Sequence, residues 1–124
     1  GVNSCLENLK GSFLDGLRGN TSADTNNKRF DPGPSLIIPR RHVESFFDLH
    51  GGERNALLAL LDEMKSDIQH KDETVEGFNV GINNGEVAGQ SVPHVHVHLI
   101  PRRRGDVEHP RGGVRGVIPR KASY

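Results

Sequence analysis

The chain has 124 residues, of which 33% are hydrophobic, and its 16 Lys and Arg balance 16 Asp and Glu. This length predicts a single domain over residues 1–124, and the lone Cys5 excludes an internal disulfide and a multi-cysteine zinc site. The longest apolar run, Ala56 to Leu61, is too short to cross a bilayer, and the zero net charge argues against nucleic-acid binding. A cytoplasmic protein without membrane or nucleic-acid partners is expected.

Five segments of the first 70 residues have recognisable patterns. They predict a short strand over 12–16, a polar mobile loop over 18–29, a buried strand over 35–38 ended by Pro39, and a short helix over 41–49. Gly51-Gly52 then breaks the chain. From Glu53 to His70, apolar residues recur every three or four positions, which predicts an amphipathic main helix.

The remainder of the chain contains two predicted strands and an irregular end. Phe78, Val80 and Ile82 alternate with polar residues and glycine, which predicts a half-buried strand. Residues 94–100, between Pro93 and Pro101, predict a second strand, which lies near enough in sequence to pair with the first in antiparallel fashion. Residues 107–124 are rich in Arg, Gly and Pro and are expected to be basic and irregular.

The charges are distributed unevenly. Residues 87–100 contain no Asp, Glu, Lys or Arg and hold three of the seven His, whereas residues 101–124 hold seven basic and two acidic residues. A charge-free stretch followed by a basic segment favours an anion-binding site. The alternative is a buried strand followed by a solvated segment.

His94, His96 and His98 are the most informative residues. Because side chains of a strand alternate between its faces, the three imidazoles share one face, with Cα atoms roughly 6.5 Å apart, while Val95, Val97 and Leu99 face the core. One interpretation is a metal site, since imidazole is a common zinc ligand. Another is phosphate chemistry, in which one imidazole is the nucleophile and protonated neighbours stabilise negative oxygens. An exposed strand without function is the third.

The sequence His-Val-His-Val-His-Leu-Ile, preceded by Gly89-Gln90-Ser91, resembles the histidine triad superfamily of nucleotide hydrolases and transferases. The similarity includes Leu36 to Val43, Phe46 to Leu49 and Pro101 to Asp106. His98 favours the hydrolase-like branches, because the uridylyltransferase branch has Gln there. Pro-Arg-Arg-Arg-Gly-Asp is more similar to the fragile histidine triad, or dinucleoside polyphosphate hydrolase, branch than to the phosphoramidase branch.

The resemblance implies a mechanism. His96 matches the nucleophile that attacks the α-phosphorus, and water then releases a nucleoside monophosphate from a nucleotidyl-histidine intermediate. His94 and His98 are expected to contact phosphate oxygens or orient the nucleophilic ring, and a backbone carbonyl to fix its tautomer. Gln90 is assigned to catalysis and substrate binding, and Ser91 to substrate binding.

Two further substrate-binding residues are expected. Asn83 matches a phosphate-binding position, although a turn residue before Asn84-Gly85 is an equal reading. Asp15 matches a carboxylate that binds both ribose hydroxyls, or it is a turn residue. Arg102, Arg103 and Arg104 either steer polyphosphate or are solvated surface charges.

The resemblance also implies an α+β fold, with an antiparallel sheet of about five strands, one main helix and a shorter helix, in a homodimer. The protein itself requires no cofactor or metal, although a divalent ion is compatible with the polyphosphate substrate. The sequence departs from the family at Pro34, where many members have His whose hydrogen bond is either lost or supplied by Ser35, and at the insertion 18–29. A nucleoside phosphoramidase, a non-catalytic nucleotide-binding protein and a zinc module remain the alternatives.

Overall fold

A four-stranded antiparallel sheet organises the chain. The computed structural model describes the backbone of residues 13–18 and residues 33–124, so most of the predicted loop at 18–29 lies outside the described residues. The strands lie in the order β1-β2-β4-β3. Their bounds are Phe13–Arg18 for β1, Ser35–Pro39 for β2, Val75–Gly81 for β3 and Val97–Arg103 for β4. With one long helix, this confirms the α+β class, and four of about five expected strands lie within the described residues.

Helix α1 spans Gly51–Lys71 and supplies most of one side of the core. It begins two residues earlier than predicted, because Glu53 accepts a hydrogen bond from the backbone N–H of His50 and caps the first turn. Glycine is tolerated at the start of a helix, where the backbone N–H groups have no partner within the helix. Of the predicted stripe, Leu57, Leu60, Met64 and Ile68 are buried, whereas Leu61 is only partly buried. Ala56 is buried beside them.

The core lies between α1 and one face of the sheet. Val95, Val97 and Leu99 are each 1% exposed and pack with Ile37 of β2. The predicted antiparallel pair is confirmed, with Val80 of β3 opposite Leu99 of β4. Because every second residue from 95 to 99 is buried, the intervening histidines face away from α1.

Two predicted elements differ from the structure. The helix expected over 41–49 is a three-residue 3-10 turn, Phe46–Asp48, within extended backbone. The strand expected over 94–100 is β4, Val97–Arg103, so Pro101 lies inside it. Pro101 pairs with Phe78 of β3, whereas the pairing with β2 ends at Leu99. A proline fits at this position because the strand pairs with only one of the described strands there, and its other side forms no backbone hydrogen bonds with a described strand.

The end of the chain is irregular, as predicted. After β4, residues 104–124 form turns and two short 3-10 segments, Arg115–Val117 and Pro119–Lys121. Within the described residues, no helix has the length and apolar character needed to span a membrane.

Candidate active site

The three histidines lie on the open face of the sheet, opposite α1. His98 is within β4, between Leu36 of β2 and Gly81 of β3. His94 and His96 precede the strand, in a segment whose Val95 N–H donates to the carbonyl of Val43 at 2.8 Å. The alternation continues through this segment, because all three histidines are partly exposed while the residues between them are buried.

The ring of His96 is fixed by a backbone carbonyl, as the sequence analysis expected. Its Nδ1 lies 2.9 Å from the carbonyl oxygen of His94. A carbonyl only accepts, so Nδ1 carries the proton and Nε2 of the neutral ring has a free lone pair. The fold thus presents the nitrogen that a nucleophilic imidazole requires.

His98 is the most enclosed of the three rings. It meets His96 edge-on, with ring centroids 5.2 Å apart and an interplanar angle of 67°. Burial, and secondarily the neighbouring His96, lower the pKa of His98. Both effects disfavour the protonated form of His98 in the free protein. Its Nε2 is buried without a hydrogen bond to any other described residue, which is an uncommon state for such an atom.

His94 uses both ring nitrogens within the protein. Nε2 lies 2.9 Å from the carbonyl oxygen of Pro39, and Nδ1 lies 3.3 Å from Nδ1 of His42. Of the two expected roles, these contacts fit an orienting residue rather than a phosphate contact. His42 was not singled out from the sequence, since the pairing of β2 with β4 that brings it to His94 cannot be read from the chain alone.

Gln90 stabilises the loop that precedes the histidines through side-chain hydrogen bonds. Its Oε1 accepts from the backbone N–H of Gly85 at 2.7 Å, and its Nε2 donates to the carbonyl of Glu44 at 2.8 Å. Gly85 and Gly89 have φ of 96° and 94°, values that favour glycine and let the chain fold back onto Gln90.

The neighbouring polar residues take different places in the structure. Asn84 joins this loop to the segment after β2, accepting from the backbone N–H of Phe46 at 2.7 Å. Asn83 and Ser91 are exposed. Asp15 is described only by its backbone, which pairs with Ile37 of β2. The structure therefore leaves the ribose assignment of Asp15 a prediction.

A family model described as HIT domain matches residues 20–105, which include the whole histidine cluster. The chain belongs to the histidine triad family. It is 40% identical over 86 residues to the asymmetrical bis(5'-nucleosyl)-tetraphosphatase of Schizosaccharomyces pombe, a match covering 69% of this chain and 47% of that protein.

Two further HIT relatives extend the likeness. A bifunctional bis(5'-adenosyl)-triphosphatase/adenylylsulfatase of Arabidopsis thaliana is 36% identical over 77 residues, which cover 62% of this chain and 42% of that protein. The crystal structure of Plasmodium falciparum diadenosine triphosphate hydrolase with cyclomarin A matches with a TM-score of 0.57 and 28% identity, covering 79% of this chain and 66% of that chain. The chain spans about half the length of the curated relatives it matches, 47% and 42% in these two cases.

The departure of this HIT chain at Pro34 is not compensated by Ser35. Ser35 is 1% exposed and lies opposite Leu99, on the face of the sheet that packs against α1. His98 lies on the other face. The hydroxyl of Ser35 is therefore on the wrong side of β2 to replace a family hydrogen bond at the triad.

The arginines at the end of β4 and directly after it form ion pairs with carboxylates. Arg102 binds Asp106 through Nε and Nη2, both at 2.9 Å, and this guanidinium holds the pKa of the Asp106 carboxyl far below its usual range. Arg103 Nη2 lies 3.0 Å from Asp72. Arg104 contacts Glu76 at 3.3 Å, with both side chains largely exposed. These contacts favour a structural role for Arg102 and Arg103 over the steering of polyphosphate.

The zinc module considered from the sequence has no support from side-chain placement. Across residues 33–124, no group of three or more His, Cys, Asp and Glu side chains is arranged to hold a metal ion. His94 and His96 instead hydrogen-bond to backbone carbonyls, and His94 also contacts His42.

Proposed function

We propose that the chain is a nucleotidyl hydrolase that cleaves dinucleoside polyphosphates through a nucleotidyl-histidine intermediate. The observation that carries the proposal is the hydrogen bond from Nδ1 of His96 to the carbonyl of His94, at 2.9 Å. It leaves Nε2 of His96 unprotonated on the open face of the sheet. The names of the relatives, which include a tetraphosphatase and triphosphatases of dinucleosides, support the substrate class.

The first step is a displacement at phosphorus. The lone pair of His96 Nε2 attacks the α-phosphorus, an N–P bond forms, and the P–O bond to the rest of the polyphosphate breaks. The leaving phosphate departs as an anion. The bond from Nδ1 to the carbonyl of His94 strengthens in this step, because the ring gains positive charge as its second nitrogen is bonded.

The second step returns the enzyme to its starting state. A water oxygen attacks the same phosphorus, the N–P bond breaks, and one proton of the water is released. A nucleoside monophosphate departs, and the lone pair returns to Nε2 of His96. The Nε2 of His98, which has no hydrogen bond to any other described residue, is proposed to bind a phosphate oxygen. The roles of Gln90, Ser91, Asn83 and Asp15 in binding the nucleotide remain proposals.

A comparison of substrates tests this function. We expect the purified chain to hydrolyse diadenosine polyphosphates with a kcat/KM at least about tenfold above that for adenosine 5'-phosphoramidate, measured by chromatography of the adenosine products. In water enriched in oxygen-18, the heavy oxygen is expected in the nucleoside monophosphate, because water attacks the adenylylated enzyme.

Other outcomes of this comparison would assign the chain a different function. The reverse order of kcat/KM would make it a phosphoramidase. Binding of adenosine nucleotides without turnover or a covalent adduct would make it a nucleotide-binding protein, in line with the uncompensated change at Pro34.

We propose a homodimer formed through β3 and the adjoining face of α1. Among the four described strands, β3 lies at one edge of the sheet, and edge strands expose unpaired backbone groups. Beside it is an open groove of about 370 Å³ that includes Leu61 and Phe78. Leu58 and Val80 on this groove are 61% and 48% exposed, an apolar surface suited to a second copy. The cytoplasmic location also remains a prediction.

Sedimentation equilibrium tests the dimer. The wild-type chain is expected at twice its mass of 13.6 kDa. The double variant Leu58→Lys/Val80→Lys is expected to sediment as a monomer, because two ammonium groups would be buried unpaired at the interface. Val87→Lys is the matched control, since Val87 is fully exposed outside the groove. A monomeric wild type, or a double variant that remains dimeric, would contradict the proposed interface.

A further inference from the structure

The rings of His42 and His94 lie against each other at the first histidine of the triad. Their rings have centroids 5.3 Å apart and an interplanar angle of 39°, and their Nδ1 atoms are 3.3 Å apart. Val43 and Val95, which follow these two histidines in the chain, are also joined, because the Val95 N–H donates to the carbonyl of Val43 at 2.8 Å. The segment that follows β2 is thus held against the segment that precedes β4 by both a backbone and a side-chain contact.

The proton positions follow from the fixed partner of His94. The carbonyl of Pro39, 2.9 Å from Nε2 of His94, accepts only, so that nitrogen carries a proton. Nδ1 of neutral His94 is then an acceptor, and Nδ1 of His42 must donate to it. His42 thus donates a hydrogen bond to His94, and His94 donates one to the carbonyl of Pro39.

The backbone of His94 links this pair to the nucleophile. The carbonyl oxygen of His94 accepts the Nδ1 proton of His96, at 2.9 Å. A residue that holds the His94 ring therefore also limits the movement of the carbonyl that sets the tautomer of His96. His42 is exposed, so its own burial adds little to the stability of the fold.

We propose that His42 is a positioning residue: it donates to Nδ1 of His94 and thereby keeps the carbonyl of His94 aligned on His96. This inference rests on the proposed function for its catalytic consequence, although the contact between the two rings can be tested without turnover. His42 has no direct role in the displacement at phosphorus. Its effect is expected in kcat rather than in KM.

The test compares three variants by kinetics and by nitrogen-15 NMR of labelled histidine rings. His42→Ala is expected to lower kcat about 10- to 100-fold at nearly unchanged KM, because a misaligned nucleophile reacts more slowly without weakening substrate binding. In the NMR spectra, the Nδ1 signal of His94 is expected to shift, because this nitrogen loses the hydrogen bond from His42 while the bond from Nε2–H to the carbonyl of Pro39 stays. His42→Asn, whose amide N–H can take the place of Nδ1–H, is expected to restore both. His70→Ala, on the exposed end of α1, serves as the control and should change neither.

Several results would overturn the proposal. One is a His42→Ala protein with wild-type kcat and an unchanged Nδ1 signal of His94. Another is a loss of kcat with that signal unchanged, or an equal loss in His42→Asn together with a lower melting temperature. If wild type hydrolyses no dinucleoside polyphosphate, the proposed function fails, while the NMR comparison still decides whether His42 donates to Nδ1 of His94.

Discussion

Replacement of His96 by Asn is expected to abolish hydrolysis of diadenosine polyphosphates, with kcat lowered about 10⁴-fold or more. Asn has no basic nitrogen in the position of Nε2, so the N–P bond of the intermediate cannot form. Acid-quenched wild-type protein is expected to yield to mass spectrometry an adduct heavier by one adenylyl group, whereas the variant yields none.

His109→Asn makes the same chemical change at a histidine whose side chain is 88% exposed and should leave kcat unaltered. The melting temperature of His96→Asn should remain near that of wild type, because the His96 ring lies outside the core. Turnover retained within a factor of ten in this variant would remove His96 as the nucleophile.

Replacement of Glu53 by Ala is expected to lower the free energy of unfolding by about 2 to 3 kcal/mol. Glu53 is 8% exposed, accepts from the backbone N–H of His50 at 2.8 Å and from Arg41 Nη2 at 2.8 Å. Its loss removes the cap of α1 and the tie between this helix and the segment after β2. The cost stays below that of breaking a fully buried pair, because the Arg41 side chain is 41% exposed and can be hydrated.

Urea titrations over a range of pH test this effect. The bond from Arg41, and secondarily that from His50, lower the pKa of Glu53 from its ordinary value of 4.5. The unfolded state therefore binds the proton more readily, and the stabilisation is present above pH 4.5 and lost as the pH falls through the folded pKa. The difference between wild type and Glu53→Ala should shrink in that acidic range.

Glu73→Ala, at an exposed turn, should change the free energy of unfolding by less than about 0.5 kcal/mol at any pH. A Glu53→Ala protein as stable as this control at neutral pH would contradict the assigned role.

The site was more predictable from the sequence than the path of the backbone around it. The spacing of His94, His96 and His98 predicted a shared face, and the intervening valines predicted the core, because both depend on local alternation alone. The bounds of the strand were wrong, since pairing decides where a strand begins: before Val97 the chain bonds to Val43 outside the ladder. Local patterning contains no information on that partner.

The short helix expected over 41–49 failed for a related reason. Val43 and Leu49 are buried, but Phe47 is 69% exposed and only Phe46–Asp48 form a helical turn. Long-range contacts hold this segment, among them the bond from Phe46 N–H to Asn84 and the bond from Arg41 to Glu53. The same long-range register brings His42 to His94, which is why neither that pair nor the role of Asn84 was foreseen.

The alternation from residue 94 to residue 99 has a consequence for how such a protein can change. The even-numbered residues are the histidines of the proposed active site, and the odd-numbered ones pack the sheet on α1. A single short stretch thus divides the proposed reactivity and the fold between separate positions. Substitutions at the histidines are free to retune or erase reactivity while the scaffold persists, and substitutions at the valines alter the scaffold without touching a reacting atom. A lineage with this arrangement can therefore acquire new substrates, or lose catalysis and keep binding, without first rebuilding its fold.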